Sequence, residues 1–176
     1  KTASPILGNL NSGLQVYEST FRSFWPEVFK AVHFPNYLAS LFTGRLFSEI
    51  TSIGCHTALW DYDLAQYHPW VSTIQDQLAP ISTEAYLPID GINYGLGLHD
   101  SSAALVPYLR SNSDEFVLLS TGTWCIAMHP LNESPLSAEE LAEDVLCYLQ
   151  PNGKPVKASR LFGGHFHEEQ VARMEA

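Results

Sequence analysis

Hydrophobic positions recur at helical spacing in the first part of the chain. A helix beginning between Asn9 and Ser12 is predicted, with Pro26 as a kink or dividing point. Its apolar positions are Leu14, Tyr17, Phe21, Phe24 and Val28. A second helix is predicted over residues 33–44, with a proline in its first turn and Gly44 at its end.

The next segments predict a strand, a loop and a linker. Residues 48–61 are rich in β-forming and hydroxyl side chains, which favours a strand. Residues 61–70 predict an aromatic loop, and residues 71–78 a short helix. The proline-containing, polar stretch of residues 80–90 predicts a linker.

The central stretch, residues 97–128, predicts two strand ends followed by polar side chains. Residues 95–100 predict a short strand that ends at Asp100, and the serines after it favour the start of a helix. Residues 116–119 predict another strand, which turns at 120–123 and returns through 124–128.

The last part of the chain carries local signals for turns and caps. Ser137 and Glu140 have the spacing of a capping box. Residues 145–149 and 156–159 predict two strands of a hairpin whose turn is 151–153. Residues 160–170 predict a turn that leads into a helix.

Two features of the central stretch indicate one chemical site. A side chain at a strand end points into a crevice, so Asp100 is a candidate functional carboxylate, although such a residue is commonly only a helix cap. Glycine between hydroxyl residues in the turn 120–123 can bring backbone N–H groups to a phosphate, although such a turn is commonly only a hairpin. We interpret them as two halves of one site.

Composition narrows the class of protein. The chain has 176 residues, 45% of them hydrophobic, which indicates a soluble globular protein. Its formal charge of −10 argues against nucleic acid or an anionic membrane as a partner. The three cysteines, Cys55, Cys125 and Cys147, lie far apart in apolar runs, which predicts reduced core residues in a cytoplasmic protein. We find neither a signal peptide nor a run long enough to span a bilayer.

An aspartate at a strand end, followed about twenty residues later by the pattern [ST]-x-G-T-[SW], resembles the FGGY family of sugar kinases. Segments 33–44 and 48–61 are similar to other stretches of that family. The His-Asp pair at 99–100 and the Gly-Thr-Trp sequence at 122–124 resemble the branch that phosphorylates deoxy-ketoses such as L-rhamnulose and L-fuculose.

The resemblance implies an α/β protein with the actin-like ATPase (ribonuclease H-like) fold and portions of two lobes. Residues 1–90 would be the C-terminal part of the N-terminal, sugar-binding domain. Residues 91–176 would be the start of the C-terminal, nucleotide-binding domain. The family's opening Asp-x-Gly-Thr loop and its adenosine-binding segment are not found here, so we expect a partial chain that has little kinase activity alone.

The implied activity is phosphorylation of a ketose or deoxy-ketose, such as rhamnulose, fuculose or xylulose, by ATP with Mg²⁺. Asp100 would be the general base and His99 a sugar-binding residue, unless that histidine is fixed only by packing. Thr121, Gly122 and Thr123 would receive phosphate oxygens, and no side chain is assigned as a metal ligand. A homodimer is an open possibility.

Two alternatives compete with this hypothesis. One is a non-catalytic relative that binds a sugar or nucleotide. The other is a thiol or metal hydrolase using Cys55 with His56, or His165 with His167. Adjacent residues on a strand point to opposite faces, which argues against the Cys-His pair, and an H-x-H sequence alone is a weak metal signal. Glu49 is a candidate for a second carboxylate near the cleft, but we expect it to cap or pair locally. We expect Trp124 to pack beneath the turn rather than to contact the substrate.

Overall fold

The protein is seen in a computed structural model, which describes residue 23, residues 25–111 and residues 114–175. Most of the predicted first helix lies outside the described residues. Trp25–Glu27 form a single 3-10 turn, which contains the proline expected to divide that helix. No helix among the described residues is long and apolar enough to cross a membrane.

The first part of the described chain consists of short elements. They are helix α1 (Phe34–Thr43), helix α2 (Ile50–Ile53), strands β1 (Trp60–Asp61) and β2 (Gln66–Tyr67), two 3-10 helices (Pro69–Thr73 and Gln75–Gln77), and strands β3 (Tyr86–Ile89) and β4 (Ile92–Gly95). Helix α1 confirms the prediction for residues 33–44. Pro35 lies in its first turn, and Gly44 ends it with φ of 65°.

The second part builds the main sheet. It contains α3 (Asp100–Ser111), β5 (Leu118–Ser120), β6 (Cys125–His129), α4 (Ala138–Ala142), β7 (Leu146–Leu149), β8 (Pro155–Leu161) and α5 (Gly163–Glu175). The four strands are antiparallel in the order β5-β6-β8-β7. The predicted strand-turn-strand segments and the capping box of Ser137 with Glu140 are confirmed. Residues 160 and 161 extend β8, and the predicted final helix follows them.

The strand prediction for residues 48–61 is wrong over most of its length. The buried carboxylate of Glu49 accepts hydrogen bonds from the backbone N–H groups of Thr51 and Ser52, which starts helix α2. A side-chain cap gives the backbone a local alternative to strand pairing. Residues 54–58 then form turns, and only Trp60 and Asp61 join a strand.

The linker prediction for residues 80–90 is wrong at its end. Strands β3 and β4 form a hairpin across Asp90 and Gly91, whose φ angles are 51° and 78°. Positive φ at both turn residues is typical of an Asp-Gly two-residue hairpin turn. The domain boundary predicted near residue 90 thus falls at the tip of a hairpin, and it stays a prediction.

Strand β7 connects two hydrophobic clusters. Leu149 packs in the first cluster, with Ile53, Leu59, Trp60, Val71 and Ile74. Tyr148 packs in the second, with Cys55, Leu105, Met128, Val156 and Ala158. In addition, the buried hydroxyl of Ser102 donates a hydrogen bond to the Leu149 carbonyl at 2.9 Å. The start of helix α3 is therefore fixed against the sheet and against the residues that follow α2.

Candidate active site

The segment between β4 and α3 is held by the N-terminal end of α1. Asn36, whose side chain is fully buried, donates from Nδ2 to the carbonyls of Leu96 at 2.8 Å and Gly97 at 3.1 Å. Gly97 has φ of 77°, and a Cβ there would lie 2.5 Å from the Pro35 carbonyl oxygen. Only glycine allows this approach, so α1 fixes the chain immediately before residues 99 and 100.

Asp100 is the first residue of α3, and its side chain is 92% exposed. The Ser101 backbone N–H donates to Asp100 Oδ1 at 2.7 Å. Residues 96–99 do not continue strand β4, so the expected strand end is a short irregular segment. The carboxylate lies at the start of the predicted helix but is exposed at the surface, and its role as the base stays a prediction.

His99 connects the exposed carboxylate to the protein interior. Its Nε2 lies 3.1 Å from Asp100 Oδ1 and 3.0 Å from Cys55 Sγ, and its ring stacks on Tyr148 with centroids 5.8 Å apart. Burial lowers the pKa of His99, while the Asp100 carboxylate acts in the opposite direction. The hydrogen bond of Nε2 is the one with Cys55 Sγ, and which of the two groups donates depends on the imidazole tautomer.

A hydrogen-bond chain fixes the backbone of His99. Its N–H donates to Thr51 Oγ1 at 3.0 Å, and the Thr51 hydroxyl in turn donates to the Glu49 carboxylate. Burial raises the pKa of Glu49, and its hydrogen bonds from Thr51 and Ser52 oppose that rise. The interpretation of Glu49 as a local cap is confirmed. The connection to His99 was missed, because it joins residues distant in sequence.

The cysteine at position 55 lacks the properties of a nucleophile. Its side chain is 2% exposed, and burial, followed by the charge of Asp100, raises the pKa of the thiol. A nucleophilic cysteine requires a lowered pKa. Cys55 contacts His99 through its sulfur, whereas the His56 ring packs edge-on against Tyr148 at 5.0 Å. These contacts argue against the thiol hydrolase hypothesis.

The turn between β5 and β6 is exposed at Thr121, Gly122 and Thr123. The first turn of α5 packs against it, because the Gly164 N–H donates to the Thr123 carbonyl at 3.2 Å. A Cβ on Gly164 would lie 2.5 Å from the Gly122 carbonyl oxygen. The structure therefore joins this turn to the N-terminal end of a 13-residue helix. The hydrogen bond and the ion-pair contact of Asp100 join it to Ser101 and His99 instead.

The position of the Trp124 side chain differs from the predicted one. Its ring stacks on Phe162 with centroids 4.5 Å apart, and the Arg160 guanidinium lies 5.5 Å from the ring centroid. The residue is 47% exposed, so it covers Phe162 at the surface and is not buried beneath the turn. Trp124 takes this position because the aromatic ring of Phe162, just before α5, lies beside the strand and stacks with the indole.

The described residues offer hydrogen-bond donors for a phosphate but no cluster of metal ligands. The exposed hydroxyls and backbone of the turn fit phosphate oxygens, which accept hydrogen bonds. Within the described part of the chain, no group of three or more His, Cys, Asp or Glu residues could hold a metal ion. His165 instead pairs with Glu169, with Nε2 and Oε1 3.3 Å apart.

Comparison with known proteins shows the family that the chain resembles. Residues 113–175 match the family described as "Carbohydrate kinase FGGY, C-terminal domain". No curated protein matches the chain.

Two solved structures share the fold. A carbohydrate kinase from Novosphingobium aromaticivorans is 31% identical, with a TM-score of 0.77, over 94% of this chain and 40% of that one. A ligand-bound xylulose kinase from Lactobacillus acidophilus is 15% identical, with a TM-score of 0.61, over 83% of this chain and 36% of that one. The chain thus spans about two fifths of these proteins or less. The expected actin-like ATPase fold is confirmed.

Proposed function

We propose that this chain is part of an FGGY-type carbohydrate kinase that transfers a phosphoryl group from ATP to a hydroxyl of a ketose or deoxy-ketose. Rhamnulose, fuculose and xylulose are the candidate sugars, and the rhamnulokinase and fuculokinase branch is the one that the His-Asp and Gly-Thr-Trp sequences favour. The observation that carries the proposal is the exposed Asp100 carboxylate held by His99, in a chain that matches the FGGY C-terminal domain. A cytoplasmic location and a homodimer belong to the same proposal.

Asp100 acts as the general base. A sugar hydroxyl is a poor nucleophile at neutral pH, so a carboxylate that accepts its proton during attack on the phosphorus lowers the barrier. The hydroxyl oxygen forms the new bond to phosphorus, its proton moves to Asp100, and ADP leaves. The high exposure of the carboxylate is appropriate for this role, because the sugar can reach it.

His99 orients the base. Among the described residues, the Ser101 N–H donates to Asp100 Oδ1 and His99 Nε2 lies 3.1 Å from the same oxygen, so Oδ2 is left for the sugar hydroxyl. The hydrogen bond from the His99 backbone to Thr51 keeps the imidazole in place. A donor that is fixed before the substrate arrives does not have to reorganise during the reaction.

Thr121, Gly122 and Thr123 receive oxygens of the transferred phosphate. Their turn is exposed and adjoins the N-terminal end of α5. The positive end of a helix dipole favours anions, and the neighbouring hydroxyls and N–H groups are donors. ATP supplies the phosphoryl group, and positioning with charge neutralisation supplies most of the rate.

Gly122→Ala tests the phosphate role of the turn. An added Cβ has only the Trp124 carbonyl near it, at 3.8 Å, and φ of Gly122 lies outside the left-handed region. We therefore expect little change in melting temperature, but a KM for ATP raised roughly tenfold, because the methyl group separates backbone and phosphate. KM for the sugar should stay the same. An unchanged KM for ATP would remove the turn from the phosphate site.

The proposed function is tested by coupled ADP release from the whole protein that contains this chain. Mg·ATP is supplied with a panel of ketoses, deoxy-ketoses and polyols. One strong responder identifies the sugar and supports the proposal. Silence across the panel, with ATP binding intact, contradicts it and favours a non-catalytic relative.

A further inference from the structure

One imidazole nitrogen of His99 faces both the candidate base and a buried thiol. Nε2 lies 3.1 Å from Asp100 Oδ1 and 3.0 Å from Cys55 Sγ. These two partners differ in environment, because the Asp100 side chain is 92% exposed whereas Cys55 is 2% exposed. His99 therefore connects a carboxylate that a substrate can reach to a sulfur in the hydrophobic core.

The sulfur of Cys55 occupies a fixed position. The residue lies two positions after the end of helix α2, and its backbone N–H donates to the Ser52 carbonyl at 3.4 Å. Its side chain packs in the second hydrophobic cluster, together with Leu105 and Tyr148. Protein interiors are close-packed, so a side chain buried in such a cluster has little room to move. The thiol thus gives the imidazole of His99 a fixed point of contact.

The other contacts of His99 leave the position of Nε2 less restricted. The ring stacks on Tyr148 with an angle of 18° between the two planes, and the backbone N–H donates to Thr51 Oγ1 at 3.0 Å. A stacked ring can still shift sideways along the face of its partner. Among the described residues, Cys55 is the hydrogen-bond partner of the imidazole, since Nδ1 has none. The thiol is therefore the group that opposes a sideways shift of Nε2.

A thiol can hydrogen-bond to Nε2 in either tautomer of the neutral imidazole. Burial, followed by the charge of Asp100, raises the pKa of Cys55, so its S–H is retained near pH 7. The S–H is a weak donor and the sulfur a weak acceptor. Cys55 therefore donates to an unprotonated Nε2 and accepts from a protonated one. A methyl group at this position would do neither.

We propose that Cys55 is a positioning residue for the general base, because its thiol keeps Nε2 of His99 beside the Asp100 carboxylate during proton transfer. The inference rests on the proposed kinase function. Asp100 changes from a carboxylate to a carboxylic acid when it takes the proton of the sugar hydroxyl, and this changes the hydrogen bonding that it offers to Nε2. The thiol remains a partner of Nε2 in both states. Cys55 acts through His99 and does not contact the sugar.

Loss of the thiol should slow the reaction without weakening the binding of the sugar. A base that is less well oriented raises the energy of the transition state, whereas the contacts of the bound sugar before reaction are unchanged. One neutral hydrogen bond corresponds to roughly a threefold to tenfold change in rate. The effect should therefore appear in kcat and not in KM for the sugar.

The experiment compares the whole protein that contains this chain with three variants. Cys55→Ala removes the thiol, and Cys55→Ser replaces it by a hydroxyl, which also donates and accepts. Cys147→Ala is the matched control, because Cys147 is 3% exposed and packs in a different cluster. Coupled ADP release with the responding sugar gives kcat and KM. Nitrogen-15 NMR of histidine-labelled protein gives the Nε2 resonance of His99, which is identified by its absence in His99→Gln.

The expected result is that Cys55→Ala lowers kcat roughly threefold to tenfold and leaves KM for the sugar within about twofold. Its Nε2 resonance should shift, because the nitrogen has lost its hydrogen bond. Cys55→Ser should restore most of kcat. Cys147→Ala should lower the melting temperature as Cys55→Ala does, since each removes a buried sulfur. It should leave kcat and the His99 resonance unchanged.

The opposite outcomes are separable. If the whole protein phosphorylates a sugar and Cys55→Ala keeps both the original kcat and the original His99 resonance, Cys55 is only a core residue and this inference fails alone. It also fails alone if Cys147→Ala loses as much activity as Cys55→Ala, because the cause is then general packing. If no sugar supports ADP release by the unsubstituted protein, the proposed function and this inference both fail.

Discussion

Replacing Asp100 by asparagine is expected to lower kcat for sugar phosphorylation by about 10²- to 10⁴-fold, the usual contribution of a general base. The amide has nearly the same shape as the carboxylate, but it cannot accept the proton of the sugar hydroxyl. KM for the sugar should change only slightly, because an amide oxygen can still accept the hydrogen bond from the Ser101 N–H. Steady-state ADP release with the responding sugar measures both constants.

Asp114→Asn is the matched control for this prediction. Asp114 is exposed just before β5, so its substitution makes the same change in charge away from the base. We expect its kcat to equal that of the unsubstituted protein. If Asp100→Asn retained more than about a tenth of the original kcat, another group would have to accept the proton.

Lowering the pH from about 7.5 to about 5 is expected to reduce the free energy of unfolding, with about 2 kcal/mol contributed by each of His33 and His56. Burial is the main cause that lowers the pKa of both side chains to about 4, from 6.5. The unfolded chain thus binds more protons between these values. The stabilisation is complete above pH 6.5 and is lost as the pH falls toward 4.

A variant isolates the contribution of one histidine. Glu49 acts in the opposite direction, since its raised pKa makes stability fall as the pH rises, and the total slope therefore mixes several groups. His56 has φ of 55°, which asparagine tolerates well, so His56→Asn is a suitable replacement. Urea unfolding at both pH values should show a pH effect smaller by about 2 kcal/mol in the variant. Equal pH effects in the two proteins would mean that His56 is not held neutral by burial.

Local signals in the sequence predicted much of the fold. The glycine turn between β5 and β6, the Pro-Asn-Gly turn between β7 and β8, and the capping box of α4 each depend on neighbouring residues. Helix α1 was predicted for the same reason, from its proline and its final glycine. The Asp-Gly turn at residues 90 and 91 carried an equally local signal, which the proline-rich composition around it obscured.

The environment of the candidate site could not be predicted in this way. Cys55 and His99 are 44 positions apart in sequence, and the Thr51 hydroxyl meets the His99 backbone across a separation of 48. Contacts of this kind depend on how α2 packs against β7 and on how α1 docks against the chain before α3. The sequence identified Asp100 and His99 as a pair, but the neighbours that keep the imidazole neutral appear only in the folded protein.

The docking of Asn36 and Pro35 against residues 96 and 97 restricts how this protein can be recombined with its relatives. A chimera spliced at the hairpin tip near residue 90 would take α1 from one parent and the base from another. Its Asn36 amide and Pro35 carbonyl would then meet a foreign backbone at an approach that only glycine allows. Residues 33–57 and 96–102 of a chimera should therefore come from the same parent protein.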